Sequence, residues 1–395
     1  MSLMRPVLLV MLVAALLGAC GSRETTTGSW NDWQRLDNAY AQCFQVWRHG
    51  ADRLVLVFGH GGERDTVGVY WFADDGSEIR PPVGSTGFGH VLSAVALGST
   101  THVPYINALG QGDAVTACAH MDQVRDTAFQ TRVRSGTVKE IATGDGLDRE
   151  ALLALKPEAL FGYPFSQGET HALEGLGIPT IEVSEYLEEH PLGRAEWLRF
   201  FGVLFGEEHK ADSLFAGIRE RYEALRVDSA MTDRPTVLFG SVWQGQWWVP
   251  PGNSYMARLI EDAGGRYVFA DRIGEGNIAM DMETMITRAG KADWWGMIAA
   301  LDHEASVTDF TGADPRLSTF RAVQDSHLFL GNSMKEDLFG QALLEPDVVL
   351  KSLREAMDPV LIIDGPPGYR PKYFAGMYHM PPSPRIRTER FEAVQ

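Results

Sequence analysis

From residue 91 onward, short apolar strands alternate with helical stretches, and the alternation occurs twice, on either side of one long helical segment. No other feature constrains the fold as much. Strand–helix–strand units pair their strands in parallel and cover the sheet with helices. In the first half, Val91–Leu97 reads as a buried strand, Val103–Leu109 as a helix, and Leu147–Leu155 as a helix stopped by Lys156-Pro157. Ala159–Tyr163 and Pro179–Val183 read as strands with a helix at Ala172–Leu176 between them. In the second half, Thr236–Phe239, Arg266–Ala270 and Trp294–Ile298 are strands, while Ser254–Ala263, Met282–Ala289 and Val348–Met357 are helices. Between the halves, Gly193–Arg226 carries Trp197, Phe200, Phe201, Leu204, Phe205, Leu214, Phe215, Ile218, Tyr222 and Leu225. Their spacing, mostly three and four, makes one broad apolar stripe. It reads as a single long helix, with Gly202 and Gly206 as the points where it would kink or break.

Residues 40–85 have a different rhythm. Phe44–Trp47, Leu54–Phe58 and Val67–Phe72 are strand-like, separated by turn-rich pieces such as Gly59-His60-Gly61-Gly62. The expected class is therefore α/β: two α/β lobes with parallel sheets joined by one long helix, plus an N-terminal β-rich extension. The divisions fall at 1–19, 20–35 (tether), 36–90 (extension), 91–190 (first lobe), 191–228 (inter-lobe helix), 229–382 (second lobe) and 383–395 (tail). No role for the extension follows from its sequence.

The chain opens with Arg5, an uninterrupted apolar run from Val7 to Leu17, and small residues leading to Cys20. That is the layout of a secretory signal peptide. Val7–Leu17 is too short to cross about 30 Å of hydrocarbon as a helix. Leu17-Gly18-Ala19-Cys20 resembles the bacterial lipoprotein box, which implies a product that starts at a lipidated Cys20 and is anchored at the membrane. The expected location is the cell envelope, on the periplasmic or outer-surface side. The formal charge of −17 lacks the basic footprint of a nucleic-acid binder. Of the three cysteines, Cys43 and Cys118 remain after lipidation. In an oxidising compartment they pair as a disulfide or stay as buried thiols, and both readings stand.

Loops at the carboxyl ends of parallel strands are where ligands bind in open α/β sheets. Thr101 and His102 follow the first strand at a helix start, and Tyr163 and Phe165 follow a later one. Five of the ten tryptophans fall between 243 and 295, and Trp243 and Trp247 sit directly after a strand. Their large planar rings suit a large, partly apolar ligand. Tyr255 could add a hydroxyl, and Arg272 could meet an anion. Trp294 and Trp295 read as core. These eight residues, Thr101, His102, Tyr163, Phe165, Trp243, Trp247, Tyr255 and Arg272, form the expected ligand-binding set. No catalytic set is expected: His60-Gly61-Gly62 is similar to an oxyanion loop, but no Gly-x-Ser-x-Gly elbow accompanies it. A secreted lipoprotein hydrolase is the alternative from another class. Cys118-Ala119-His120 is too little for a dedicated zinc or manganese site.

The layout resembles the substrate-binding lipoproteins of ABC importers for metal chelates, the group that includes cobalamin-, haem- and siderophore-binding proteins. Leu97-Gly98-Ser99-Thr100-Thr101-His102-Val103 resembles that group's first strand and helix. Glu150-Ala151-Leu152-Leu153-Ala154-Leu155-Lys156-Pro157 with Leu160-Phe161 is similar to its E-x-L-L-A-L-K-P-D-L-V segment, with Glu158 in place of the aspartate. Pro251–Tyr255, Leu259–Gly265 and Glu345–Leu350 extend the likeness into the second half. The resemblance spans about residues 90–380 and implies two lobes on a rigid helix. It further implies a monomer that captures an iron-siderophore or related chelate, or alternatively cobalamin or haem, and delivers it to a permease dimer. Glu150 and Glu283, each near the start of a helix in its own lobe, match the glutamates with which the group engages arginines of the permease. No resident cofactor or metal is implied beyond the chelate itself.

Overall fold

The computed structural model describes residues 33–376, except 61, 74–81, 145, 164–172, 174, 176, 228–232, 313 and 359–369. Phe165, Cys20 and residues 383–395 lie outside the described residues.

The N-terminal strands Gln34–Leu36, Phe44–His49, Asp52–Phe58 and Thr66–Phe72 form an antiparallel meander, and Thr86–Phe88 joins its edge in parallel. Side chains alternate across a strand, so Phe44, Val46, Val55, Val57 and Tyr70 share one face and are buried. That face lies on the helix after the first lobe, where the Phe44 ring packs 4.9 Å from Trp197 and 5.8 Å from Phe200.

Each lobe is built on a parallel sheet. In the first, the order is Thr180–Glu182, Ala159–Gly162, Val95–Leu97, Val115–Cys118, Lys139–Glu140. In the second it is Leu328–Asn332, Trp294–Ala299, Thr236–Phe239, Arg266–Tyr267, with Ala375–Gly376 antiparallel at the outer edge beside Leu328–Asn332. Setting aside the short edge strands Lys139–Glu140 and Ala375–Gly376, in both lobes the first strand is central, the second lies to one side, and the third and fourth lie to the other. The lobes are thus topological copies. The strands at Val115–Cys118 and Leu328–Asn332 carry no alternation. Leu328–Asn332 is buried at every position, as a strand covered on both faces should be.

The stretch expected as one long helix is two. Pro191–Leu204 ends at Phe205, Gly206 adopts φ +71°, and Glu208–Leu225 begins a new helix. Gly206 supplies the left-handed conformation that commonly ends helices, and the Glu207 N–H donates back to the Gly202 carbonyl at 2.7 Å. The two helices then fold onto each other. A Cβ on Gly202 would stand 2.6 Å from that of Ala211, so only glycine permits this approach. The apolar stripe is therefore two stripes that bury one another, which corrects the expectation of a single rigid rod. Pro191–Leu204 is buried almost throughout, whereas Glu208–Leu225 buries only Ala211, Phe215, Ile218 and Tyr222.

Cys43 and Cys118 are free, buried thiols, which removes the disulfide alternative. Burial pushes the Cys118 thiol up to about 12 and raises Cys43 still further.

Candidate ligand cleft

At the carboxyl ends of the first-lobe strands the structure assembles Thr101, His102 and Tyr163, as the sequence implies, but turns them on one another. Ser99 caps the short helical turn that follows the first strand, its hydroxyl accepting from the Thr101 N–H. The Tyr163 hydroxyl lies 2.8 Å from the Ser99 hydroxyl and 2.6 Å from that of Thr101. Thr101 donates to Glu185 Oε1 at 2.7 Å, and Tyr163 does so at 3.2 Å. Glu185 is buried, and burial holds its carboxyl above the usual carboxylate range. His102 is fully buried among Phe161, Tyr163 and Phe201. Neither ring nitrogen has a hydrogen-bond partner among the described residues. Burial lowers its pKa to about 3, so the imidazole is neutral.

The open space lies elsewhere. A cleft of about 1110 Å³ is lined by Tyr186–Glu189, which follow the last strand of the first lobe, by the strand ends of the second lobe, and by the N-terminal extension. Among the described residues, none between 95 and 182 lines it. Phe239, Gly240, Ser241 and Ile298 bring the second-lobe strand ends to its surface. Gly240 has no room for a side chain, since a Cβ would meet the Trp248 carbonyl at 2.5 Å. The Arg194 guanidinium lies 4.3 Å over the Tyr255 ring, within cation–π range, and donates to the Tyr186 carbonyl at 3.0 Å. Its Nε has no partner among the described residues. Glu188, Glu189 and Glu275 supply the acidic groups. The Asn253 amide donates to Glu189 at 2.6 Å, joining the second lobe to the end of the first. Ile273 and Phe339 leave large apolar surfaces exposed among the lining residues.

Of the expected second-lobe residues, only Tyr255 lines this cleft. Ser241–Trp243 and Gln246–Val249 form a hairpin whose two turn residues, Gln244 and Gly245, both have positive φ, the requirement of a type I′ turn. The strand alternation then separates the tryptophans. Trp248 faces the cleft, while Trp247 points the other way and stacks near Trp295 and Phe320, in the core. Trp243 stands beside the turn and is 62% exposed. Arg272 is exposed and outside the cleft. Trp294 and Trp295 are core, as expected. Arg194 was missed because it lies inside a strongly apolar helix, where its charge reads as an exception to the stripe. Trp248 was missed because the sequence does not show where the hairpin turns.

Glu150 and Glu283 are both exposed. Asp148 caps the helix Arg149–Leu155, its carboxylate accepting from the Ala151 N–H at 2.9 Å. Asp281 caps Met282–Thr284 in the same way, through the Thr284 N–H at 2.7 Å. Each glutamate is the second residue after its capping aspartate, in the helix that leads into its lobe's third strand. Neither forms an ion pair with another described residue.

Residues 95–333 match the sequence profile of a family described as periplasmic binding protein. That range spans both lobes and the helices between them. The chain belongs to the periplasmic binding protein family. Its members are binding proteins rather than enzymes, and the N-terminal sheet of this binding protein lies outside the matched range. An uncharacterized lipoprotein of Methanocaldococcus jannaschii is 28% identical over 229 residues, 57% of this chain and 53% of that protein. A second from the same organism is 26% identical over 309 residues, 74% of this chain and 76% of its own length. Among solved structures, a periplasmic binding protein from Veillonella parvula gives a TM-score of 0.55 at 17% identity, over 68% of this chain and 92% of its own. An ABC-type Fe3+-hydroxamate transport protein from Saccharomonospora viridis gives 0.53 at 20% identity, over 68% and 94%. A haem-binding protein from Pseudomonas aeruginosa gives 0.53 at 18%, over 71% and 96%. These structures share the fold of the two lobes.

Proposed function

We propose that this periplasmic binding protein is the lipid-anchored receptor of an ABC importer and carries a metal chelate, an iron-siderophore or haem, in the cleft between its second lobe and the end of its first. The observation that supports this reading most is the cleft itself. At about 1110 Å³ it can take a chelate-sized solute, and it combines exposed apolar surface with one guanidinium set against an aromatic ring. A guanidinium beside a ring suits a flat, delocalised anionic group better than a compact cation. The neighbours that carry Fe3+-hydroxamate and haem favour the same class.

Glu150 and Glu283 then serve as the two contacts with the permease. Their equivalent positions on topologically equivalent helices suit a partner with two-fold symmetry, and charge-assisted glutamate–arginine pairs would set register and speed encounter. The lipoprotein names of the relatives and the Leu17–Cys20 box support an anchored, extracytoplasmic product.

Calorimetric titration of the chain from Gly21 with haemin and a panel of ferric siderophores tests the reading. Saturable one-to-one binding of one class is expected, and no binding to any member by a folded sample would overturn it. Converting both Glu150 and Glu283 to lysine is expected to abolish uptake in cells while leaving that affinity unchanged. Normal uptake by the stably folded double variant would remove the docking role.

A further inference from the structure

We infer that the N-terminal sheet, which lies outside the family's matched range, is a third wall of the ligand cleft and helps to select the solute. The inference rests on the receptor reading above. Gln42, Cys43, Gly59, His60 and Gly62 all line the cleft. They come from the loop before the second strand and the turn after the third, both at one end of the meander. They line the cleft together with Tyr186–Glu189 of the first lobe and the strand ends of the second.

Two buried carboxylates fix this wall. Glu196 accepts from the backbone N–H groups of Ala39, Tyr40 and Ala41 at 2.7–2.8 Å. Glu188 accepts from those of Gln42 and Cys43, at 2.9 Å for the shorter contact of each, and from the Trp197 indole at 2.9 Å. Glu188 stands at the end of the first lobe and Glu196 in the helix that follows it, and Glu188 itself lines the cleft. Carboxylates that gather consecutive backbone N–H groups hold a loop in one conformation. The loop is thus seated from beneath, while the Gln42 side chain stays exposed.

The turn is tied as firmly. The Gly59 N–H donates to the Asp65 carbonyl and the Asp65 N–H to the Gly62 carbonyl, both at 2.8 Å. This places His60 Nδ1 3.9 Å from Glu275 Oε2 in the second lobe, so the extension reaches the opposite wall. The wall offers a primary amide, an imidazole and bare backbone at two glycines. Those are hydrogen-bonding groups, suited to an oxygen-rich edge of a chelate whose delocalised anionic part lies at Arg194.

The mature chain with His60→Cys and Glu275→Cys provides the test. A short bis-maleimide is expected to bridge the two positions in the folded, ligand-free protein, because the native side chains approach each other across the cleft. A folded sample that does not bridge overturns the wall. Haemin and a ferric trihydroxamate are then titrated into the bridged protein and into a Gln42→Trp variant, which keeps the backbone bonds to Glu188. Whichever probe the unmodified chain binds should bind both at least about tenfold more weakly. Unchanged affinity in both overturns the selective role. If neither probe binds the unmodified chain, the bridging result still decides the wall, and only the chelate reading falls.

Discussion

At the strand ends of the first lobe, the hydroxyls of Ser99, Thr101 and Tyr163 bond to one another, and those of Thr101 and Tyr163 also bond to Glu185. At the corresponding ends of the second lobe, Phe239, Gly240, Ser241 and Ile298 border open space. The four main strands of the two sheets have the same order, so topology does not cause the difference. Among the described first-lobe residues, a buried carboxylate and a neutral, enclosed imidazole stand beside those hydroxyls, and the extension adds a wall next to Tyr186–Glu189. Equivalent positions in a repeated fold therefore carry either a plug or a site, and the polar satisfaction of their side chains tells which.

The largest effect should come from releasing the wall that the extension adds. Glu196→Ala leaves the N–H groups of Ala39, Tyr40 and Ala41 and the Arg199 guanidinium without their buried acceptor. Removing one partner from a buried charged network costs about 3–5 kcal/mol. Urea unfolding should show a loss of that size, and a loss below about 1 kcal/mol would mean that the extension is only loosely seated.

The closed first lobe predicts a pH signature. His102 is held neutral with a pKa near 3, against 6.5 in the unfolded chain. Between those values the unfolded chain binds the proton and the folded one does not. The stabilisation is complete above pH 6.5 and is lost as the pH falls, by up to about 1.4 kcal/mol per unit. The unfolding free energy of wild type should fall relative to that of His102→Leu as the pH drops from 7 to 5. Parallel curves would show that the ring is not enclosed.

Tyr163→Phe sharpens the comparison further. It deletes the hydroxyl shared with Ser99, Thr101 and Glu185 and should cost about 1–2 kcal/mol of stability without altering chelate affinity. A large loss of affinity with stability intact would return Tyr163 to the site. The smallest effect is expected at Trp243, whose exposed ring should be replaceable by alanine within about 0.5 kcal/mol. Trp248→Ala should weaken chelate binding, and equal binding losses in the two variants would contradict the hairpin's facing.

Much of the fold was legible because burial imposes period. The strand Thr236–Phe239 and the helices near 149–155, 255–262 and 346–356 carry clear patterns and punctuation. Gly206 was legible as a break point, but the folding back of the helices was not, since one stripe facing a sheet and two stripes facing each other have the same spacing. Asp148 and Asp281, two residues before Glu150 and Glu283, mark those helix starts in the sequence itself. The ligand set was read less well. Position at a strand end is a local property, whereas exposure of Thr101 or Tyr163 depends on Glu185, which arrives from farther along the chain. Trp247 and Trp248 differ only in which face of a hairpin they occupy, and that is decided by the turn at Gln244-Gly245.

Hydroxyl-radical footprinting, with and without whichever chelate the titrations identify, compares the two lobes most directly. Protection is expected at Trp248, Met256 and Phe339 and in the extension at His60, with no change at Tyr163 or Trp243. Protection centred on Tyr163, with Trp248 and Met256 unchanged, would contradict the account and place the solute on the first lobe.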